Sequence, residues 1–162
     1  YCFHFPSSSA PSACTTDGAL LFIRPEKEAV VLDIVQYWQA VLAQQPQQMR
    51  RFFDPEAAIN WHNTGEQFTA EEFIRANCAY PGRWNGRLER VETLPDRIIT
   101  AVQVFPRDGR ISCHVTSFMQ LRQDRILTLD EYWGDDGEAP RWRQQMQLGR
   151  ALGRPQGQTL LP

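Results

Sequence analysis

The chain has 162 residues, enough for one domain with a real core and little room for a second. Apolar residues make up 42% and charged ones 22%, a globular balance rather than a disordered one. A net charge of −2 supplies no broad basic field for nucleic acid or an anionic membrane, and no apolar run approaches the roughly 20 residues of a membrane span.

The chain opens on Tyr1, so it reads as a fragment or processed form. Residues 1–24 are expected to form a flexible tail that leaves His4 solvated. With no basic start and no compact apolar stretch, the tail does not read as a secretory signal. Cys2, Cys14, Cys78 and Cys113 show no metal-ligand spacing, and the expectation is reduced thiols in a cytoplasmic protein.

Pro25, Glu26 and Glu28 look like a helix start, followed by an apolar stripe through Val30, Ile34, Trp38 and Val41. Pro46 breaks it; Met49, Phe52 and Phe53 mark a short second helix that Asp54-Pro55 stops. Ala57 to Asn63 reads as a strand, Asn63-Thr64-Gly65 as a turn, and Gln67-Phe68 as the return. Thr69 with Glu72 is a capping-box pattern opening a third helix, which Tyr80-Pro81-Gly82 ends. From Gly86 the period becomes strand-like. Leu88–Thr93, Arg97–Phe105, Arg110–Leu121 and Arg125–Trp133 form an antiparallel meander, with turns at Pro95-Asp96, Asp108-Gly109 and Gln123-Asp124. A loop and a short helix near Trp142 follow, and residues 151–162 are expected to be a loose tail.

This order of elements, with Ile59 to Gly65, Asn77 to Gly82, His114 to Phe118 and Asp130 to Gly137, resembles the nuclear transport factor 2-like superfamily. That superfamily includes SnoaL-like polyketide cyclases, ketosteroid isomerases and limonene epoxide hydrolases. The resemblance runs from about Pro25 to Leu148. It implies an α+β fold over residues 25–150, with N-terminal helices packed on a curved antiparallel sheet to make a cone, and a homodimer joined through the convex face. Such a fold hosts enzymes, binding modules and transport adaptors alike.

Counting outward from Gln123-Asp124 as a two-residue turn pairs Phe118 with Leu129, Thr116 with Glu131 and His114 with Trp133. All six then share one face. Counting from Asp108-Gly109 sets Gln103 beside His114 and Ala101 beside Thr116. A few polar groups among apolar walls suit a pocket, leaving Val115, Tyr132 and Met119 for a dimer interface. Comparison with ketosteroid isomerases favours this face, because the tryptophan lining their steroid pocket matches Trp133. Their oxyanion-hole aspartate falls near Thr116, which argues against that reaction.

The catalytic candidates are therefore His114 with Glu131 as a diagonal pair, and His62, near the place of the isomerases' catalytic aspartate. A one-residue shift puts Trp61 there instead. Both histidines also suit purely structural roles. Asn60, Trp61, Tyr80, Trp84, Gln103, Thr116, Phe118 and Trp133 are the candidate substrate contacts. Trp38, Trp61, Trp84 and Trp133 fit a plain core as well as a binding box. Asp135 and Asp136 read as turn formers, and no metal or cofactor is expected. Cys113 and His114 point to opposite faces, which disfavours a nucleophilic pair. The function expected is cofactor-free acid–base chemistry of isomerase, cyclase or hydratase type on a small apolar molecule. The alternative is a non-catalytic module for small-molecule binding or dimerisation.

Overall fold

The computed structural model describes residues 32–109, 111–153 and 157–161. The expected N-terminal tail, and the helix start at Pro25, fall outside these residues. Leu32 and Asp33 precede helix α1 (Ile34–Leu42), whose N-cap is Asp33: its Oδ1 accepts from the Gln36 amide at 3.0 Å. The cap places the apolar stripe of α1 on the sheet, with Tyr37 and Trp38 fully buried. Helix α2 (Pro46–Arg50) follows, and Phe53 opens strand β1 (Phe53–Trp61), so Asp54-Pro55 lies inside the strand rather than ending a helix. Strand β2 (Glu66–Thr69) returns to helix α3 (Ala70–Ala79), which opens on the expected capping box of Thr69 and Glu72.

The meander comprises β3 (Trp84–Leu94), β4 (Arg97–Pro106), β5 (Cys113–Arg122) and β6 (Arg125–Asp135). Gln123 and Asp124 both have positive φ, 50° and 64°, as a two-residue hairpin turn of matching twist requires. A short helix α4 (Arg141–Gln145) precedes strand β7 (Gln158–Leu160). The seven strands form one curved, unclosed sheet in the order β2-β1-β6-β5-β4-β3-β7. It is mixed rather than wholly antiparallel, because β1 pairs with β6 in parallel. No short turn signals that pairing, since some 60 residues separate the two strands in the chain.

Helix α1 packs on β3 and β7, α3 packs on β1 and β2, and α2 joins the two helices. The face beneath them holds the core: Ile98 and Val102 of β4, Val115 and Met119 of β5, and Ile126 and Leu129 of β6 are all buried. Arg122 ties the hairpin end to β1, its guanidinium meeting both oxygens of Asp54, at 2.5 and 3.0 Å, and Glu56 at 2.6 Å. Those bonds hold the Asp54 carboxyl below its ordinary range. No helix among the described residues is long and apolar enough to cross a membrane.

The end of the chain departs from the expected loose tail. Gln158 to Leu160 extend the sheet beside β3, and Leu160 is fully buried. Gly157 makes this possible: its φ is +122°, and a Cβ there would lie 2.4 Å from the Leu88 carbonyl oxygen. We expect Leu160→Ala to cost about 2–5 kcal/mol, the usual range for a buried leucine. Urea denaturation checks this; an unchanged midpoint would mean that β7 contributes nothing to the core.

A candidate ligand cavity walled by tryptophans

The meander pairs Arg122 with Arg125, as counting from the turn requires, but the register then slips. Leu121 pairs with Ile126 and Gln120 with Thr128, so Leu127 is an extra residue, a β-bulge. Beyond it every pair is shifted by one: Ser117 faces Glu131, Val115 faces Trp133 and Thr116 faces Tyr132. The six residues expected on one face are therefore divided. Leu129, Glu131 and Trp133 lie on the inner face under the helices, whereas His114, Thr116 and Phe118 lie on the outer one. The diagonal pair of His114 with Glu131 does not form, because the sheet stands between them. Gln103 pairs with His114 and Ala101 with Thr116, as the Asp108-Gly109 turn implied, but on the outer face.

Glu131 is 1% exposed, and three donors converge on it. Its Oε2 accepts from the indole nitrogens of Trp61 at 2.8 Å and Trp133 at 3.1 Å, and its Oε1 accepts from Ser117 Oγ at 3.4 Å. Burial pushes its pKa up to about 7, against the pull of these three bonds. The Tyr37 hydroxyl, also fully buried, has no hydrogen-bond partner among the described residues, and burial followed by the Glu131 charge raises its pKa well above the ordinary value. A carboxyl that gains and loses its proton near neutrality thus sits beneath two indole rings.

Those rings form part of a cavity of about 340 Å³ between α1, α3 and the sheet. Trp38 comes from α1, Trp61 from β1, Trp84 from β3 and Trp133 from β6. Val104 and Cys113 extend the sheet wall, and Tyr80, its ring 5.4 Å from that of Trp84, stands at the mouth. Burial pushes the Cys113 thiol up to about 11, with Asp136 and Asp135 adding to it, so the thiol stays protonated at neutral pH. Asn63, Thr64, Asn77 and Asp135 are polar lining residues. Sequence reasoning assigned them no ligand contact; only the Asn77 Oδ1, buried without a partner among the described residues, marks one of them as unusual. A larger groove between α2 and α3, about 610 Å³, is open to solvent and edged by the exposed Arg50–Glu71 ion pair.

The outer face carries the remaining candidates. His62 stacks on Tyr132 at 4.3 Å, and its Nε2 lies 2.8 Å from Asp130 Oδ1, which also accepts from Asn60 Nδ2 at 2.9 Å. His114 lies between two carboxylates, its Nδ1 2.5 Å from Asp136 Oδ1 and its Nε2 3.3 Å from Glu89 Oε2. Burial pushes Asp136 up, but bonds from Ser112, His114 and Gln103 outweigh it and hold the carboxyl below its ordinary range. Gln103 in turn accepts from Arg87 at 2.8 Å. Thr116 is half-buried and Phe118 is exposed on this face. Of the substrate contacts expected, the structure brings Trp61, Tyr80, Trp84 and Trp133 together around the cavity. It leaves Asn60, Gln103, Thr116 and Phe118 on the far side of the sheet. Among the described residues no group of three His, Cys, Asp or Glu is placed to hold a metal ion.

No family model matches the chain, and no relative among curated proteins matches it. Solved structures do. A candidate ketosteroid isomerase from Kribbella flavida superposes with a TM-score of 0.62 at 16% identity, over 74% of this chain and 87% of the other. An NTF-2 like protein of unknown function from Burkholderia xenovorans gives 0.60 at 21% identity, over 73% and 91%. A candidate SnoaL-like polyketide cyclase from Jannaschia gives 0.52 at 13%, over 62% and 81%. Together with the order of helices and strands, these likenesses show that the chain has the nuclear transport factor 2-like fold of the SnoaL-like and ketosteroid isomerase-like proteins.

Proposed function

We propose that this protein binds a small organic molecule with a largely apolar body in the tryptophan-walled cavity. The observation that carries the reading is the convergence of four indoles from four different elements on one space of about 340 Å³. Tryptophans that served packing alone would fill such a space rather than surround it. Ligand entering there should quench or shift the intrinsic fluorescence. Trp84→Ala, at the half-buried mouth, should weaken binding about tenfold or more while the protein still folds. Native mass spectrometry of protein purified from cells provides the direct check. Only unliganded protein, together with no fluorescence response across a library of small apolar compounds, would count against the reading.

A second reading, cofactor-free acid–base catalysis on that ligand, is favoured by one observation: the Glu131 carboxyl, with a pKa of about 7, lies directly behind Trp61 and Trp133. A general acid or base works best with its pKa near the working pH. Movement of either indole would bring the carboxyl to the cavity, and the reaction would be of isomerase, cyclase or hydratase type. His62 and His114 lie on the other side of the sheet from that reaction. The titration has a consequence for stability. Between the ordinary carboxylate pKa and about 7, the folded state holds a proton that the unfolded chain has released. Stability therefore falls as pH rises through this window, by on the order of 3 kcal/mol in all, and the loss levels off above it. Glu131→Gln removes the titrating group and keeps an acceptor for the indoles. The difference in unfolding free energy between wild type and variant should shift in the variant's favour from pH 5 to pH 8. A difference that stays constant with pH would place the Glu131 titration elsewhere.

We further propose a homodimer through the outer face of the sheet. Val115 and Met119, expected at that interface, are fully buried on the inner face and cannot contribute. Phe118 and Tyr132, 38% and 48% exposed and packed edge to face, offer the apolar area instead. Sedimentation at tens of micromolar, an order-of-magnitude concentration for a moderate interface, should give a dimer that Tyr132→Glu dissociates. A wild-type monomer at that concentration would exclude it.

A further inference from the structure

We infer that the ligand of this cavity is an organic cation, a small alkylammonium group held against the indole faces; the inference rests on the binding reading above and narrows it. All four indole N–H groups around the cavity are already taken by the protein. Trp61 and Trp133 donate to Glu131, Trp38 to Thr100 Oγ1 at 3.3 Å, and Trp84 to the Pro81 carbonyl at 3.2 Å. Facing the ligand, therefore, the tryptophans offer carbon and π surface and no N–H.

The side-chain amides are mostly committed as well. Gln44 Nε2 donates to the carbonyls of Asn77 at 2.9 Å and Tyr80 at 2.6 Å. Asn63 donates to the Trp133 carbonyl and accepts from the Trp133 amide at 2.6 Å. The Cys113 thiol points to the Val104 carbonyl, 3.7 Å away. What remains for a ligand is a charge, the Asp135 carboxylate, with the Asn77 amide nitrogen and the hydroxyls of Thr64 and Tyr80 as the donors left. Among the described residues no lysine, arginine or histidine lines the cavity.

Each ligand class meets this inventory differently. A carboxylate or phosphate would face Asp135 with no cation to balance it. A ketone or ester would find donors in Thr64, Tyr80 and the Asn77 amide, but its oxygen would gain nothing from the Asp135 charge. A plain hydrocarbon would fill the space but make no use of the Asp135 charge or of the negative ring faces. An alkylammonium satisfies every feature: its methyl groups suit the apolar walls, its charge is attracted to the negative ring faces, and Asp135 balances it.

The test compares two molecules of nearly the same shape, choline and 3,3-dimethylbutan-1-ol, which differ in the charge at one atom. Titration of the full chain, followed by calorimetry and tryptophan fluorescence, should show choline binding about tenfold tighter, as a desolvated ring–cation contact allows. Asp135→Asn and, separately, Trp84→Leu should weaken choline severalfold while leaving the neutral alcohol unchanged. Unaltered circular dichroism spectra and melting curves would confirm that both variants fold. Equal or tighter binding of the alcohol would overturn the cation inference and leave the apolar cavity reading standing. Saturable binding of neither would overturn both.

Discussion

Three donors from three adjacent strands meet at one carboxyl group. Trp61 ends β1, Ser117 lies in β5 and Trp133 in β6, and Glu131 accepts from all of them at the centre of the sheet. A carboxyl at this depth loses its hydration, and only such bonds make its burial tolerable. The bonds also fix what surrounds it. With their N–H groups directed at Glu131, the Trp61 and Trp133 rings must turn their apolar surface to the helices, and the cavity takes its shape from that orientation. Other features of the site follow: a donor-poor wall, an apolar interior, and a proton held near neutrality behind it.

Keeping Glu131 there is costly. A hydrophobic residue of similar volume would avoid the desolvation that raises its pKa to about 7. It would also release the two indoles. The sheet then separates two chemistries. The inner face holds the buried Glu131 carboxyl and the four cavity tryptophans. The outer face holds solvated networks, His62 with Asp130 and Asn60, and His114 with Asp136, Glu89 and Gln103, where water screens the charges. Histidines in such networks are held mainly by their carboxylate partners, and proximity to the cavity in sequence does not bring them to it in space.

Much of the fold was legible because its signals are local. The Thr69–Glu72 capping box, the Gln123-Asp124 turn and the change of period at Gly86 each depend on neighbouring residues alone. The face of the sheet was not legible, because a side-chain period of two converts one extra residue into a complete exchange of faces. Leu127 carries no local mark of being that residue; only the burial spacing from Ile126 to Leu129 reveals it. The parallel β1–β6 pairing and the return of Leu160 to β3 depend equally on contacts distant in the chain. Glu131, Trp61, Tyr80, Trp84 and Trp133 were found as site candidates, but Glu131 was given the wrong companion. Asn77 and Asp135 escaped notice as cavity-lining residues, because an amide in a helix and an acid beside glycine have ordinary explanations.

The dependence of the cavity on Glu131 can be read at the two indoles themselves. In protein labelled with ¹⁵N-tryptophan, the Nε1–H resonances of Trp61 and Trp133, assigned by single substitution, should titrate together between pH 5 and 9. Their common midpoint should lie near the carboxyl pKa of about 7. The Trp84 indole, bonded to a backbone carbonyl, should stay nearly still and serve as the internal control. Movement of both resonances with one midpoint, abolished in Glu131→Gln, is the predicted result. Resonances of Trp61 and Trp133 that ignore pH, or that move with separate midpoints unaffected by Glu131→Gln, would contradict it.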